Sequence, residues 1–109
     1  VYSGAQLSGN CTPSKSVAYY GSHGTSDGVL GYDGGVKLAQ NFATANSCMW
    51  ATPPKVTSGN HMCTNVTGCA TGYPVEFCSF NGDHTPDPRD PNMPTSWQYQ
   101  LVWDLFSKL

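Results

Sequence analysis

Hydrophobic and polar positions alternate between two periods along this chain. Val17-Ala18-Tyr19-Tyr20 is a short apolar, aromatic run that stops at Gly21 and reads as a buried strand. Residues 22–31 are rich in Gly and Ser and read as a loop. Leu38, Ala39, Phe42 and Ala43 then recur at helical spacing. Asp33 stands where it can cap that helix, Gly34 and Gly35 fall in its first turn, and Asn46 and Ser47 close it. Residues 53–72 show no period. Pro74 to Phe80 alternates weakly and predicts a second strand, with Pro at its first position, where no ladder donor is lost. A turn at Asn81-Gly82-Asp83 and an extended polar stretch, Asp87 to Pro91, follow. Thr95 opens a last helix, with Gln98 completing a capping box. Trp97, Leu101, Val102, Leu105, Phe106 and Leu109 line one of its faces.

The order strand, loop, helix, strand, loop, helix predicts an α/β fold, a parallel sheet with helices on its faces. Each helix has one apolar stripe and must cover something. Two strands are too few to bury both faces of such a sheet, so further strands are expected from elsewhere. The 109 residues suffice for one small domain. They fall short of the roughly 200–250 residues that a complete eight-stranded sheet with its helices needs. No repeat or low-complexity tract divides the chain, and residues 1–109 read as one piece of one domain.

Charge narrows the partners. The net charge is −2, 11% of residues are charged, and the five Lys and Arg are scattered. No basic patch is formed to hold a polyanion, so nucleic acid is not an expected ligand. Cysteines stand at 11, 48, 63, 69 and 78, and two sequons occur, at Asn10-Cys11-Thr12 and Asn65-Val66-Thr67. That combination predicts a secreted, disulfide-bonded chain glycosylated at Asn10 and Asn65. A zinc site lacks its usual Cys-X-X-Cys pair. Cys63 with Cys69 and Cys48 with Cys78 make one workable pairing, which leaves Cys11 over; other pairings stay open because connectivity does not follow from spacing. No apolar run approaches the ~18 residues of a membrane span. Val1-Tyr2-Ser3-Gly4 has none of the features of a signal peptide and reads as mature or internal sequence.

The chemistry-bearing residues follow the two strands. One loop reads Gly21-Ser22-His23-Gly24-Thr25-Ser26-Asp27, the other Asn81-Gly82-Asp83-His84-Thr85-Pro86. Ligand chemistry in open parallel sheets sits outside the carboxyl ends of the strands. An Asp that fixes a His tautomer there, with the His free to take a hydroxyl proton, is two-thirds of a hydrolase triad, and acid before histidine is the α/β-hydrolase order. Each residue has a plainer reading: an Asp in a Gly-Ser loop forms turns, and a His after a strand is often only at the surface. His23 reads as shaping the Asp27 loop by hydrogen bonding. Asp83 adjoins His84 too closely to orient its ring without an unusual backbone. His61 carries no signal beyond polarity. A metal site of His23, Asp27 and His84 matches no familiar ligand spacing. Trp50 and Tyr32 are aromatics that either stack on a ligand or pack.

Tyr19-Tyr20-Gly21-Ser22-His23-Gly24-Thr25-Ser26-Asp27, with Val29-Leu30 and Gly34-Gly35 behind it, resembles the triad-acid region of fungal feruloyl esterases. That group also includes acetyl xylan esterases and polyhydroxybutyrate depolymerases. Tyr73 to Phe80 with Asp83-His84-Thr85-Pro86 resembles their histidine region, and Val1-Tyr2-Ser3-Gly4-Ala5 resembles the strand end after their nucleophile helix. Asp27 and His84 are 57 residues apart. The resemblance implies the C-terminal part of an α/β-hydrolase, with Asp27 as triad acid, His84 as general base and no cofactor. It further implies a serine in a Gly-X-Ser-X-Gly elbow upstream of Val1, supplied by an N-terminal half in the same or a separate chain. The substrates it implies are esters of plant cell wall polysaccharides. Within residues 1–109 the Gly-X-Ser-X-Gly spacing falls only at Gly24-Thr25-Ser26-Asp27-Gly28, inside the loop of the expected acid and not on the sharp strand-to-helix turn an elbow needs, so the chain alone is expected to be inactive. A secreted, disulfide-bonded, non-catalytic carbohydrate-binding module is the alternative. It accounts for the cysteines and sequons but not for an Asp and a His on successive strand ends.

Overall fold

The computed structural model describes residues 1–6 and 12–109. Its elements run β1 (Tyr19–Gly24), α1 (Tyr32–Ala45), β2 (Met62–Asn65), β3 (Val75–Phe80) and α2 (Gln98–Phe106). β1 and β3 are parallel neighbours, from Tyr19 opposite Val75 to Gly24 opposite Phe80. β2 pairs antiparallel with the other side of β3, from Met62 opposite Ser79 to Asn65 opposite Glu76. The strand order is β1-β3-β2. On the far side of β1, Tyr2 makes a parallel bridge to Ser22.

The α/β class and the parallel β1–β3 pair agree with the sequence pattern. The sheet as a whole is mixed rather than parallel. β2 is the missed strand: four residues, Met-Cys-Thr-Asn, are too short to show a period. β1 also runs on through Ser22, His23 and Gly24, which their composition assigns to a loop. Every residue of β1 and β3 is buried. A strand covered on both faces need not alternate, and here its small and polar members are held by the β3 ladder.

One sheet face is closed by α1. Ala39 and Ala43, both fully buried, let the helix approach Tyr19, Val75 and Phe77 closely, and the Tyr19 ring stacks on Phe42 at 4.3 Å. Tyr32 belongs to this core, edge-on to Phe77 at 6.0 Å, and Trp50 packs against it, so both aromatics pack. Gly31, without a side-chain cap, precedes the helix. Asp33 lies inside the first turn, where its carboxylate favours the helix dipole instead of capping. The C-terminal end is as expected: Asn46 closes the helix and Ser47 takes a left-handed φ of 61°. The buried Asn46 amide donates to the carbonyls of Val17 (2.7 Å) and Tyr73 (3.1 Å), fixing the chain as it approaches each parallel strand.

α2 begins at Gln98, two residues later than the capping-box pattern places it, with Trp97 at the cap position and no side-chain cap. The Gln98 side chain is drawn away by other partners, described below. Leu101 and Leu105 face Glu76, Asn65 and Pro74 across a groove of about 600 Å³, while Trp103, Phe106 and Leu109 are exposed. The apolar stripe is therefore only partly covered within this chain.

Two disulfides form, Cys48–Cys69 and Cys63–Cys78. This corrects the pairing expected above. Cys63 and Cys78 stand directly opposite each other in the β2–β3 ladder. The Met49–Thr67 bridge and the Ala70 N–H to Asn46 carbonyl bond (2.8 Å) bring Cys48 beside Cys69. Register, invisible in the spacing, decides the connectivity. Cys11 and the Asn10 sequon lie outside the described residues. Asn65 is exposed at the end of β2.

Candidate functional site

Parallel pairing brings the ends of β1 and β3 out side by side, and the ladder continues past the strands. The Thr25 and Ser26 N–H groups donate to the carbonyls of Phe80 and Gly82, each at 3.0 Å. Gly24 is where the two loops touch. A Cβ there would overlap the Gly82 carbonyl and stand 2.7 Å from the Asp83 carbonyl oxygen, both backbone atoms. Gly24→Ala is therefore expected to destabilise the fold by about 1–3 kcal/mol through overpacking, and to part the two loops. Chemical denaturation gives the first quantity, and a crystal structure of the variant gives the second.

The approach at Gly24 sets the carboxylate of Asp27 against the ring of His84. Asp27 Oδ2 lies 3.0 Å from His84 Nδ1. Asp27 Oδ1 accepts from the N–H groups of Val29 (2.8 Å) and Leu30 (2.9 Å), so the chain turns around its own carboxylate. The Asp27 side chain is fully buried and that of His84 is 40% exposed. With Nδ1–H donated to the carboxylate, the His84 Nε2 lone pair is left for an outside proton. Among the described residues Nε2 has no partner.

His23 completes the cluster from below. Its side chain is inaccessible, and its Nε2 lies 2.7 Å from the Leu30 carbonyl and 3.2 Å from Asp27 Oδ2. A carbonyl accepts only, so Nε2 carries the proton and donates to both. The opposite nitrogen, Nδ1, has no partner. It is pressed against Gly35, where an added Cβ would stand 2.8 Å from the ring Cγ. A ring so enclosed cannot reach a substrate. Its place fits the loop-shaping role read from the sequence.

Asp83 does not touch the His84 ring. Its Oδ1 accepts from the backbone N–H of Gly28 (2.9 Å) and of His84 (2.7 Å), which ties one loop to the other. Two N–H donors hold its carboxyl below the ordinary value. At Asp27, burial pushes the carboxyl up. The Leu30 N–H, His84, the Val29 N–H and His23 together outweigh it, and the net shift is downward from 3.8. A carboxyl lowered in the folded state stabilises the fold above its unfolded value and loses that contribution as pH falls through the folded one. The difference in Tm between wild type and Asp27→Asn should therefore be full at pH 7 and shrink below about pH 4, as scanning calorimetry across pH would record.

His61, in contrast, forms a separate contact. Its backbone N–H and Nδ1 both lie 2.7 Å from the Asp90 carboxylate, and its ring stacks on Trp97 at 3.9 Å. This pins the 87–91 stretch to the start of β2. Neither partner had a sequence signal, because they are far apart in the chain and the pairing depends on β2.

No protein-family model matches the chain. Curated relatives do, over nearly all of its length. Feruloyl esterase D of Neurospora crassa is 38% identical over 99% of this chain. A probable feruloyl esterase C of Aspergillus flavus is 37% identical over 94% of it, and feruloyl esterase C of Emericella nidulans 34% over 97%. This chain is a relative of the fungal feruloyl esterases. It spans only 38–39% of the length of those proteins. The kinship shown is thus with esterases. The two disulfides of this feruloyl esterase relative suit an oxidising compartment. Among the described residues no helix is long and apolar enough to cross a membrane.

Proposed function

We propose that this chain is the C-terminal part of a secreted serine-type carboxylic ester hydrolase of the α/β-hydrolase fold, contributing the triad acid, Asp27, and the general base, His84. The observation that carries this reading is the 3.0 Å contact between Asp27 Oδ2 and His84 Nδ1, with the ring's other nitrogen unengaged. The names of the relatives point to feruloyl esters as the substrate class, and the natural substrates of this reading are such esters in plant cell wall polysaccharides. The nucleophile is a serine of the upstream part of the parent protein. It attacks the ester carbonyl while His84 Nε2 takes its proton, and Asp27 holds the imidazolium in place. Collapse of the tetrahedral intermediate expels the sugar alcohol, which receives that proton from His84. Water, deprotonated by the same nitrogen, then releases the acid and returns the serine. Asn10 and Asn65 are the glycosylation sites of this reading.

The test is the natural preparation, kept non-reduced, with methyl ferulate as substrate and a fluorophosphonate as serine probe. The expected result is ferulate release, with the probe on a Gly-X-Ser-X-Gly serine outside residues 1–109, in a polypeptide that is joined to, or co-purifies with, this chain. The 109-residue chain alone should do neither. Near wild-type hydrolysis after His84→Ala would remove the assigned base.

A further inference from the structure

His84 sits on an irregular loop, and the two residues after it are held by buried side chains that the triad chemistry leaves unused. The first is Ser3, 2% exposed, with a left-handed φ of 52° that is uncommon outside glycine. Its N–H donates to the Ser22 carbonyl of β1 at 2.8 Å. Its hydroxyl donates to the Thr85 carbonyl at 3.0 Å and accepts from the Thr85 N–H at 3.4 Å. The second is Gln98, fully buried. Its Oε1 accepts from the Tyr20 hydroxyl of β1 at 2.7 Å, and its Nε2 donates to the Pro86 carbonyl at 3.0 Å.

Both anchors lead back to β1, the strand that delivers Asp27. We propose that Ser3 and Gln98 are positioning residues that clamp Thr85 and Pro86 to β1, so that His84 is registered against the strand carrying its acid and not only against β3. The inference rests on the reading of Asp27 and His84 as acid and base. The cost of a left-handed Ser3 is then understandable: the conformation turns a buried hydroxyl onto both polar groups of one residue of the histidine loop.

Two variants separate this role from a general packing role. Ser3→Gly keeps the positive φ, even favours it, and removes the hydroxyl together with the single carbon that carries it. Gln98→Glu keeps an acceptor for Tyr20 and removes the donor to Pro86. In the isotope-labelled chain, the Nδ1–H proton of His84 in its bond to Asp27 is read by NMR. In the esterase-active preparation, kcat and KM for methyl ferulate are read alongside Tm. The expected result is a broadened or lost Nδ1–H signal in both variants. With it should come a kcat lower by about ten- to a hundredfold, the scale of a slightly misplaced catalytic group, an unchanged KM, and a Tm of Ser3→Gly close to wild type. A wild-type Nδ1–H signal with wild-type kcat in both variants overturns the clamp. Loss of the Nδ1–H signal in a preparation that cleaves no ester upholds the clamp and discards the esterase reading instead.

Discussion

Asp27→Asn should lower kcat for ester cleavage about 10⁴-fold, the effect of presenting the base in its wrong tautomer. The local geometry fixes which way the new amide turns. Oδ1 accepts two backbone N–H groups, from Val29 and Leu30, so the amide oxygen must stay there. The NH₂ is then forced into the Oδ2 position, facing His84 Nδ1 at 3.0 Å. A donor at that place selects the ring form with its lone pair on Nδ1 and its proton on Nε2. The nitrogen that takes the serine proton in the proposed mechanism is then already occupied. The same NH₂ also opposes the His23 Nε2–H, 3.2 Å from Oδ2, which is committed to the Leu30 carbonyl. The variant thus loses stability as well as turnover, and the two are separable. Folding is followed by circular dichroism, and turnover is measured well below the variant's Tm, in the esterase-active preparation. A kcat within tenfold of wild type would show that Asp27 does not set the His84 tautomer.

The residues of this arrangement differ in how plainly the sequence displays them. Asp27 and His84 are visible because the physics that places them is local: each follows a strand, and parallel strands with a connecting helix bring their ends out together. His23 is visible for the same reason, four residues before the acid it serves. Ser3, Gln98 and the His61–Asp90 pair are not. Their partners lie 82, 78 and 29 residues away, and no period or spacing encodes a contact of that kind. Gln98 even carries a misleading local signal. Three residues after Thr95 it matches a capping box, but tertiary partners, the Tyr20 hydroxyl and the Pro86 carbonyl, outcompete a helix end worth about 1 kcal/mol. β1 shows the converse. Ser22, His23 and Gly24 have poor strand propensity, yet the β3 ladder and complete burial hold them extended. The cysteine pairing failed with β2, since the strand that escaped notice is the one that sets Cys63 opposite Cys78.

That same register makes the Cys63–Cys78 bond the covalent tie of β2 to the sheet. Removing it with Cys63→Ala and Cys78→Ala should cost about 3 kcal/mol, the loop-closure value for a bridge spanning 15 residues. For a domain of this size each kcal/mol corresponds to roughly 4–8 °C in Tm, so the shift is large on a melting curve. β2 has little else to hold it. It is four residues long, its side chains are exposed or half-buried, and it pairs with β3 alone. Cys78, in contrast, is fully buried within β3. Loss of the bond should therefore free the edge strand first while β1 and β3 stay paired. Hydrogen exchange would show it as early exposure of the amides of residues 62–65, with those of 75–80 still protected. Because His61 immediately precedes β2 and bonds Asp90, the 87–91 stretch should loosen with it, whereas the Asp27–His84 contact, built on the other side of β3, should survive. A double variant that melts within about 1 kcal/mol of wild type, or one in which residues 75–80 exchange as early as 62–65, would show that the ladder and not the disulfide secures this edge.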